Sequence, residues 1–375
     1  MLGAGIAERS ALSTSLRFAV VIPVARYHQR LDRCLQACAR LTYEPRTIAV
    51  VSDVPMALPD DPHFVNVVTN AGCLTSPGAK RDAVRAAIPD VGVYAYLDDD
   101  AYPPPDWLEN GAQVLAESPQ AAGAGGPGLA ADDQTFWEQV SAAVLASPVG
   151  SGPLHFRFWP DPPRDCDDYP AYALFIRRHR LDAAGGWATD WYGGEDSALC
   201  ARLAARGGLI RYDPRLAVWH YRRRLAPEHA WQVWNVGRSR GCLIRAGDPY
   251  SWRWMFGGPL CVSIAVIAAV VAALILAMPV TAIAAACLAA YLGLTLFGLP
   301  GRLSWAVRLI VPLALLVHHG SYASGMVVGL LTGERLKRGG SGSADVTLRR
   351  FGDLPDQAVQ GSGPHARPAI GEGPA

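Results

Sequence analysis

Val91-Gly-Val-Tyr-Ala-Tyr-Leu-Asp-Asp-Asp100 is an apolar, β-branched and aromatic run that ends abruptly in three carboxylates. With no polar alternation over Val91–Leu97, it reads as a strand buried on both faces, the kind found in parallel sheets covered by helices. The same signature recurs on the N-terminal side at Phe18–Val24, Thr47–Val51 and Val65–Val68. Between these runs, Arg30–Leu41 and Lys80–Ile88 carry apolar residues at helical spacing. On the C-terminal side follow a strand over Ala171–Ile176, a helix over Glu195–Ala205, and short strands over Leu209–Tyr212 and Leu216–His220. Strands and helices alternating on this scale predict an α/β fold, a mostly parallel sheet with helices on both faces. Residues 119–170, rich in Gly, Pro and Asp, have no period that assigns them.

The chain has 375 residues and a formal net charge of +1. That balance gives no field favouring nucleic acid or another polyanion. Half of the residues are hydrophobic, but unevenly spread: charge is frequent up to Arg253 and scarce from Met255 to Leu331. Gly257–Ala277 and Pro279–Leu299 are each apolar, uncharged and long enough to cross a bilayer, and the short turn between them predicts a helical hairpin. Trp305–Leu331 is a third apolar segment, interrupted by Arg308, His318, His319 and a Gly/Ser stretch. It either spans the bilayer or takes a re-entrant or interfacial path. The second course keeps Arg245, Arg253, Arg302 and the Arg335–Arg338 cluster on one face.

The resulting division is a tail over 1–16 without a secretory signal, an α/β domain over 17–250, a membrane region over 254–331, and a Gly/Pro/Ser-rich tail over 336–375 expected to be disordered. These segments imply a multi-pass protein of the cell (inner) membrane with its α/β domain facing the cytoplasm. The eight cysteines lack zinc-type spacing and read as scattered reduced thiols.

Four constellations have the residue types for chemistry. Asp98-Asp99-Asp100 stands at the carboxyl end of a predicted strand, where open α/β sheets place ligands. A divalent cation would relieve the repulsion among three carboxylates, and oxygen ligands suit Mg2+ or Mn2+. Trp191-Tyr-Gly-Gly-Glu195-Asp196 puts two glycines before two carboxylates at a helix start, where the dipole alone also favours acids. His220 closes a short strand and is followed by Arg222, Arg223 and Arg224, either a solvated face, a phosphate clamp or a contact with anionic lipid. Asp53 ends the second strand, suited to a nucleobase or ribose, and Lys80 and Arg81 open the next helix, suited to a diphosphate.

In order and spacing, Val20-Val-Ile-Pro23-Val24, Val50-Val-Ser-Asp53, Gly78-Ala-Lys-Arg-Asp82, Leu97-Asp-Asp-Asp100, Pro105-Asp-Trp-Leu108, Gly194-Glu-Asp-Ser197 and Trp219-His220 resemble the family 2 glycosyltransferases. The resemblance covers about Phe18 to Gly241 and implies the nucleotide-diphospho-sugar transferase fold called GT-A. It further implies a donor site of Pro23, Asp53, Lys80, Arg81, Asp98 and Asp99, and a metal held by Asp98, Asp100 and His220. A general base in the Glu195–Asp196 pair is implied too, Asp196 being favoured. The reaction implied is an inverting transfer from a nucleotide-diphosphate sugar. Asp168, Tyr169 and Trp191 fall where such enzymes often shape the acceptor pocket. Ser52 departs from the second Asp that many members carry there. Trp231-Gln-Val-Trp-Asn-Val-Gly-Arg238 lacks the Q-x-x-R-W arrangement of processive synthases, which favours single addition.

With the arginines Arg222, Arg223, Arg224, Arg238 and Arg240 ahead of the first apolar segment, the expected acceptor is lipid-linked or a cell-envelope glycan. Two alternatives remain. A sugar nucleotidyltransferase of the same fold would carry a glycine-rich loop after the first strand, where Ala25-Arg-Tyr-His28 stands. A non-catalytic sugar-nucleotide-binding membrane protein would have no need of the acidic pairs.

Overall fold

The computed structural model describes residues 16–69, 75–188, 193–258, 293, 299, 301 and 303–333, and the strand 346–350. Most of the predicted hairpin over 257–299, Trp191, and most of both tails lie outside the described residues.

The first half builds as its patterning requires. Strands β1 (Phe18–Pro23), β2 (Arg46–Ser52), β3 (Phe64–Thr69) and β4 (Val93–Leu97) pair in parallel in the order β3-β2-β1-β4. Successive side chains of β1 point to opposite faces, so both faces need cover. Phe18, Val20 and Ile22 pack with Leu31, Cys34, Leu35 and Cys38 of helix α1 (Gln29–Ala39). Ala19 and Val21 belong to the core formed with Ala83 and Val84 of helix α2 (Pro77–Ala87). Helix α2 starts where Ser76 accepts a hydrogen bond from Ala79 N and Pro77 occupies the first turn.

The second half corrects the expectation of a mostly parallel sheet. After β4 the chain forms β5 (Ala101–Tyr102), helix α3 (Trp107–Glu117), β6 (Gly123–Gly125), β7 (Gly128–Ala130), helix α4 (Phe136–Ala146) and β8 (Arg164–Cys166), and only then β9 (Ala173–Arg177). No single crossover helix joins β4 to β9, so β9 re-enters antiparallel to β4, Val93 opposite Arg177 and Leu97 opposite Ala173. With β10 (Ile210–Tyr212), the sheet is mixed, in the order β12-β3-β2-β1-β4-β9-β6-β10-β8. Its edge strand β12 (Val346–Arg350) pairs antiparallel with β3, so the segment expected to be disordered contains an ordered strand. The exposed edge of β3 supplies the unpaired backbone groups that recruit it.

A second sheet of three strands, β5-β11-β7, uses β11 (Val218–His220), with His220 opposite Ala101. Helices α5 (Arg178–Ala183) and α6 (Glu195–Ala204) follow β9. Helices α7 (Ala230–Arg245) and α8 (Trp305–Thr332) complete the described chain. Helix α8 is one continuous helix of 28 residues with Pro312 inside, and is the one described helix long and apolar enough to cross a membrane.

Helices α7 and α8 run parallel, in a register set from His229 Nε2 beside His318 Nδ1 (3.1 Å) to Arg245 beside the Leu330 carbonyl (2.9 Å). Glycines allow this approach. A Cβ on Gly325 or Gly329 would collide with the carbonyl oxygens of Trp234 and Arg238, and one on Gly237 or Gly241 with those of Tyr322 and Met326. Each helix thus presents a G-x-x-x-G pair to the other. Nearer its start, α8 buries Val307, Val311, Ala314 and Leu315 with Val140, Ala143 and Val144 of α4. Its outer side leaves Trp305, Leu309, Leu313, Leu316, Val327 and Leu331 exposed at helical spacing.

Candidate active site

The carboxyl end of β4 delivers Asp98, and the turn into β5 carries Asp99 and Asp100. Pairing of β11 with β5 brings His220 to this turn. His220 Nε2 lies 2.9 Å from Asp100 Oδ1 and 3.9 Å from Asp98 Oδ2. One ligand atom from each of Asp98, Asp100 and His220 falls within a mutual 4.8 Å. Asp99 turns aside to His28 Nε2 at 3.1 Å.

Burial raises the Asp98 carboxyl, against the pull of Arg81 and His220. At Asp100 burial pushes the same way, but the charge and hydrogen bond of His220 outweigh it and hold the carboxyl below the usual range. Two carboxylates and one imidazole are a donor set that fits a hard divalent ion with room for ligand oxygens. His220 Nδ1 faces Arg222 Nη1 at 3.0 Å. A guanidinium only donates, so Nδ1 accepts and a neutral ring carries its hydrogen on Nε2, toward Asp100. Ligation through Nε2 therefore requires Arg222 to release Nδ1, because a metal-bound imidazole keeps its hydrogen on the other nitrogen.

Arg81, buried on α2, reaches across the site. Its Nη2 lies 3.3 Å from Asp98 Oδ1, its Nη1 3.9 Å from Glu195 Oε1, and its guanidinium covers the Trp187 ring at 4.8 Å. Lys80, also buried, turns instead to Val24 O (2.8 Å) and Asp53 Oδ2 (3.0 Å), so of the two cations only Arg81 meets the acidic turn. Asp53 accepts further from Thr69 Oγ1 (2.8 Å) and Thr75 N (3.4 Å). Burial opposes its charge, yet the bonds from Thr75, Lys80 and Thr69 hold the carboxyl below its usual range. Pro23 ends β1 beside this cluster, pairing with Val51 of β2.

Gly193 and Gly194 have φ of 83° and 88°, a left-handed turn that starts α6 with Glu195 and Asp196 in its first turn. Glu195 is buried and its Oε2 has no hydrogen-bond partner among the described residues. Burial, then the charge of Asp196, pushes its carboxyl up to about 7. Burial raises Asp196 as well, which accepts from Ala171 N at 3.4 Å. Arg81 thus links the acidic turn after β4 to the acidic start of α6.

At 16% identity a mannosyltransferase from Pyrobaculum calidifontis, solved with GDP-mannose and Mn2+, covers 88% of this chain and 95% of its own, with a TM-score of 0.52. The two share a fold. GalNAc-T7, solved with UDP, GalNAc and Mn2+, is 14% identical over 60% of this chain and 47% of its own, with a TM-score of 0.43. No protein-family model matches the sequence, and no curated protein does.

The remaining expectations fall differently. Tyr169 is fully buried and its hydroxyl donates to Gly126 O at 2.7 Å, which makes it a core residue that presents nothing to a ligand. Asp168 is buried between Arg240 and Arg157, whose charges outweigh its desolvation and hold it far below the usual carboxylate range. Of the arginines grouped as a lipid-facing set, Arg222 and Arg240 are buried, whereas Arg223 and Arg224 are exposed. Arg222 at His220 and Arg240 at Asp168 are the site's supporting residues that their positions in a basic run conceal.

Proposed function

We propose that this chain is a metal-dependent glycosyltransferase of the family 2 type. It would transfer one sugar at a time, with inversion, from a nucleotide-diphosphate sugar to a lipid-linked or envelope-glycan acceptor at a membrane surface. The observation that carries the reading is the convergence of Asp98, Asp100 and His220 opposite Glu195–Asp196, in a fold shared with a mannosyltransferase solved with a nucleotide sugar and Mn2+.

Asp98, Asp100 and His220 would hold Mn2+ or Mg2+, which when bound supplies Lewis-acid stabilisation of the departing diphosphate. Asp53 would read the nucleobase, its geometry held by Lys80 and Thr69. Arg81 would offset negative charge between the donor and the acidic helix start. Asp196 would take the proton of the acceptor hydroxyl, since a raised carboxyl pKa brings a general base nearer the working pH. Inversion and family membership rest on the sequence resemblance.

Support for the membrane setting comes from α8. Its inner side packs on α4 and α7 along its length, so a bilayer crossing would drag those helices into lipid. The geometry favours a helix lying in the interface with its outer leucines in the acyl boundary. The hairpin over 257–299 would anchor the chain, with the domain on the cytoplasmic side of the cell membrane.

The test is donor turnover by detergent-solubilised protein across GDP- and UDP-sugars, with Mn2+, Mg2+ or EDTA and a lipid extract as acceptor source. Nucleoside diphosphate release that needs metal and is lost in Asp100→Ala and Asp196→Asn supports the transferase. Folded protein that binds donor but never turns over, with both variants binding alike, points to a non-catalytic sugar-nucleotide-binding protein.

A further inference from the structure

Arg240 stands where the elements around the catalytic turn meet the helix pair. Its Nη2 donates to Asp168 Oδ2 at 2.8 Å and to Ser197 Oγ at 3.2 Å, and its Nη1 to Ser251 Oγ at 2.9 Å. Its guanidinium lies 3.8 Å from the centre of the Phe256 ring. Tyr322 of α8 lies close enough for Arg240 to lower its phenol against the burial that raises it. Ser197 also donates to Asp168 Oδ1 at 2.9 Å. Asp168, Ser197, Ser251 and Arg240 itself are all buried or half-buried. Ser197 follows Asp196 directly, in the first turn of α6.

A second contact arises independently. The glycine turn before α6 rests on α7, a Cβ at Gly193 falling 3.1 Å from Ser239 Oγ and one at Gly194 falling 3.5 Å from Ser239 Cβ. Helix α7 therefore touches the catalytic turn both by its surface and through the Arg240 fork.

We propose that Arg240 is a positioning residue: through Asp168 and Ser197 it holds the turn bearing Glu195 and Asp196 in register with the α7–α8 pair. This rests on the transferase reading for its catalytic consequence but not for its structural one. A planar fork that meets a carboxylate and a hydroxyl together cannot be replaced by an ammonium of the same charge. The charge matters too, because Asp168 lies close enough to raise Asp196, as Asp98 does, while Arg81 opposes both. Weakening the Arg240–Asp168 pair would displace the turn and leave Asp168 less neutralised beside Asp196.

The experiment compares full-length Arg240→Lys, Ser197→Ala and Arg245→Ala with the parent protein in detergent. Arg245 contacts the last carbonyls of α8 and serves as a control for loosening of the helix pair elsewhere. Hydrogen exchange of the 193–200 segment should quicken about tenfold in Arg240→Lys and Ser197→Ala and stay unchanged in Arg245→Ala and in β1–β4. Turnover should fall about 10- to 100-fold with donor KM within about twofold. The acid limb of the kcat–pH profile should move to higher pH in Arg240→Lys. Unchanged exchange in 193–200, or equal quickening in Arg245→Ala, overturns the proposal whether or not the protein turns over a sugar nucleotide. Quickened exchange with undiminished kcat overturns its catalytic part. A parent protein inactive on every donor refutes the transferase reading instead, and the exchange data then decide on the anchor alone.

Discussion

At Asp100 a single side chain joins the acidic turn to His220, 2.9 Å away. Asp100→Asn keeps the shape and removes the charge. It is expected to weaken Mn2+ binding, read by electron paramagnetic resonance of the free ion, by about 100-fold, the upper end of what loss of an outer partner alone costs. Glu195 gives a different kind of prediction. Its carboxyl is raised from 4.5 to about 7, so the ionised form is disfavoured in the folded state. For a raised carboxylate, folding loses stability as pH climbs from the unfolded value to the folded one. Thermal melts should therefore show Glu195→Gln gaining a few degrees over the parent at pH 8, on a scale of roughly 2–4 °C per kcal/mol, and little at pH 4.5. An equal gain at both pH values would refute the assignment. Asp98, Asp100, His220, Glu195 and Asp196 were legible in the chain because each ends or starts an element with a clear pattern. Arg222 and Arg240 were not: which guanidinium in a basic run turns inward depends on contacts with Gly128 and Asp168, far away in the sequence.

Among the elements, β1 to β4 were readable because each is a run of apolar residues long enough to show its period. Strands β5, β6, β7 and β8 have two or three residues each, too few for any period, and they decide that β9 runs antiparallel. The close packing of α7 on α8 was hidden for another reason: its glycines look like helix breakers until the partner backbone is seen. Adding a methyl group there should strain both helices. Gly325→Ala and Gly237→Ala are each expected to destabilise the fold by about 1–3 kcal/mol, the usual cost of overpacking. Gly257→Ala, which meets nothing within 4 Å among the described residues, should be neutral. Denaturant midpoints of the three variants would decide; equal behaviour would mean that the helix contact is looser than described.

For the whole molecule, the proposed seat of α8 in the membrane interface makes its exposed outer face the test. Nitroxide labels at Leu309, Leu316, Ser324 and Leu331, reconstituted in vesicles, should report one shared shallow depth of about 5–10 Å. A steady gradient of depth along those positions would instead mean that the helix crosses. The parallel run of α7 and α8 carries a practical consequence for anyone wishing to shorten the protein. Phe256, at the guanidinium of Arg240, lies level with Tyr322 of α8, whereas Trp305 begins that helix, a distance of about 25 Å at 1.5 Å per helical residue. A shortened version made by cutting out residues 257–299 and splicing the flanks directly would leave too little chain to reach and would pull α8 off its seat. At least about eight extended residues are needed between Phe256 and Trp305.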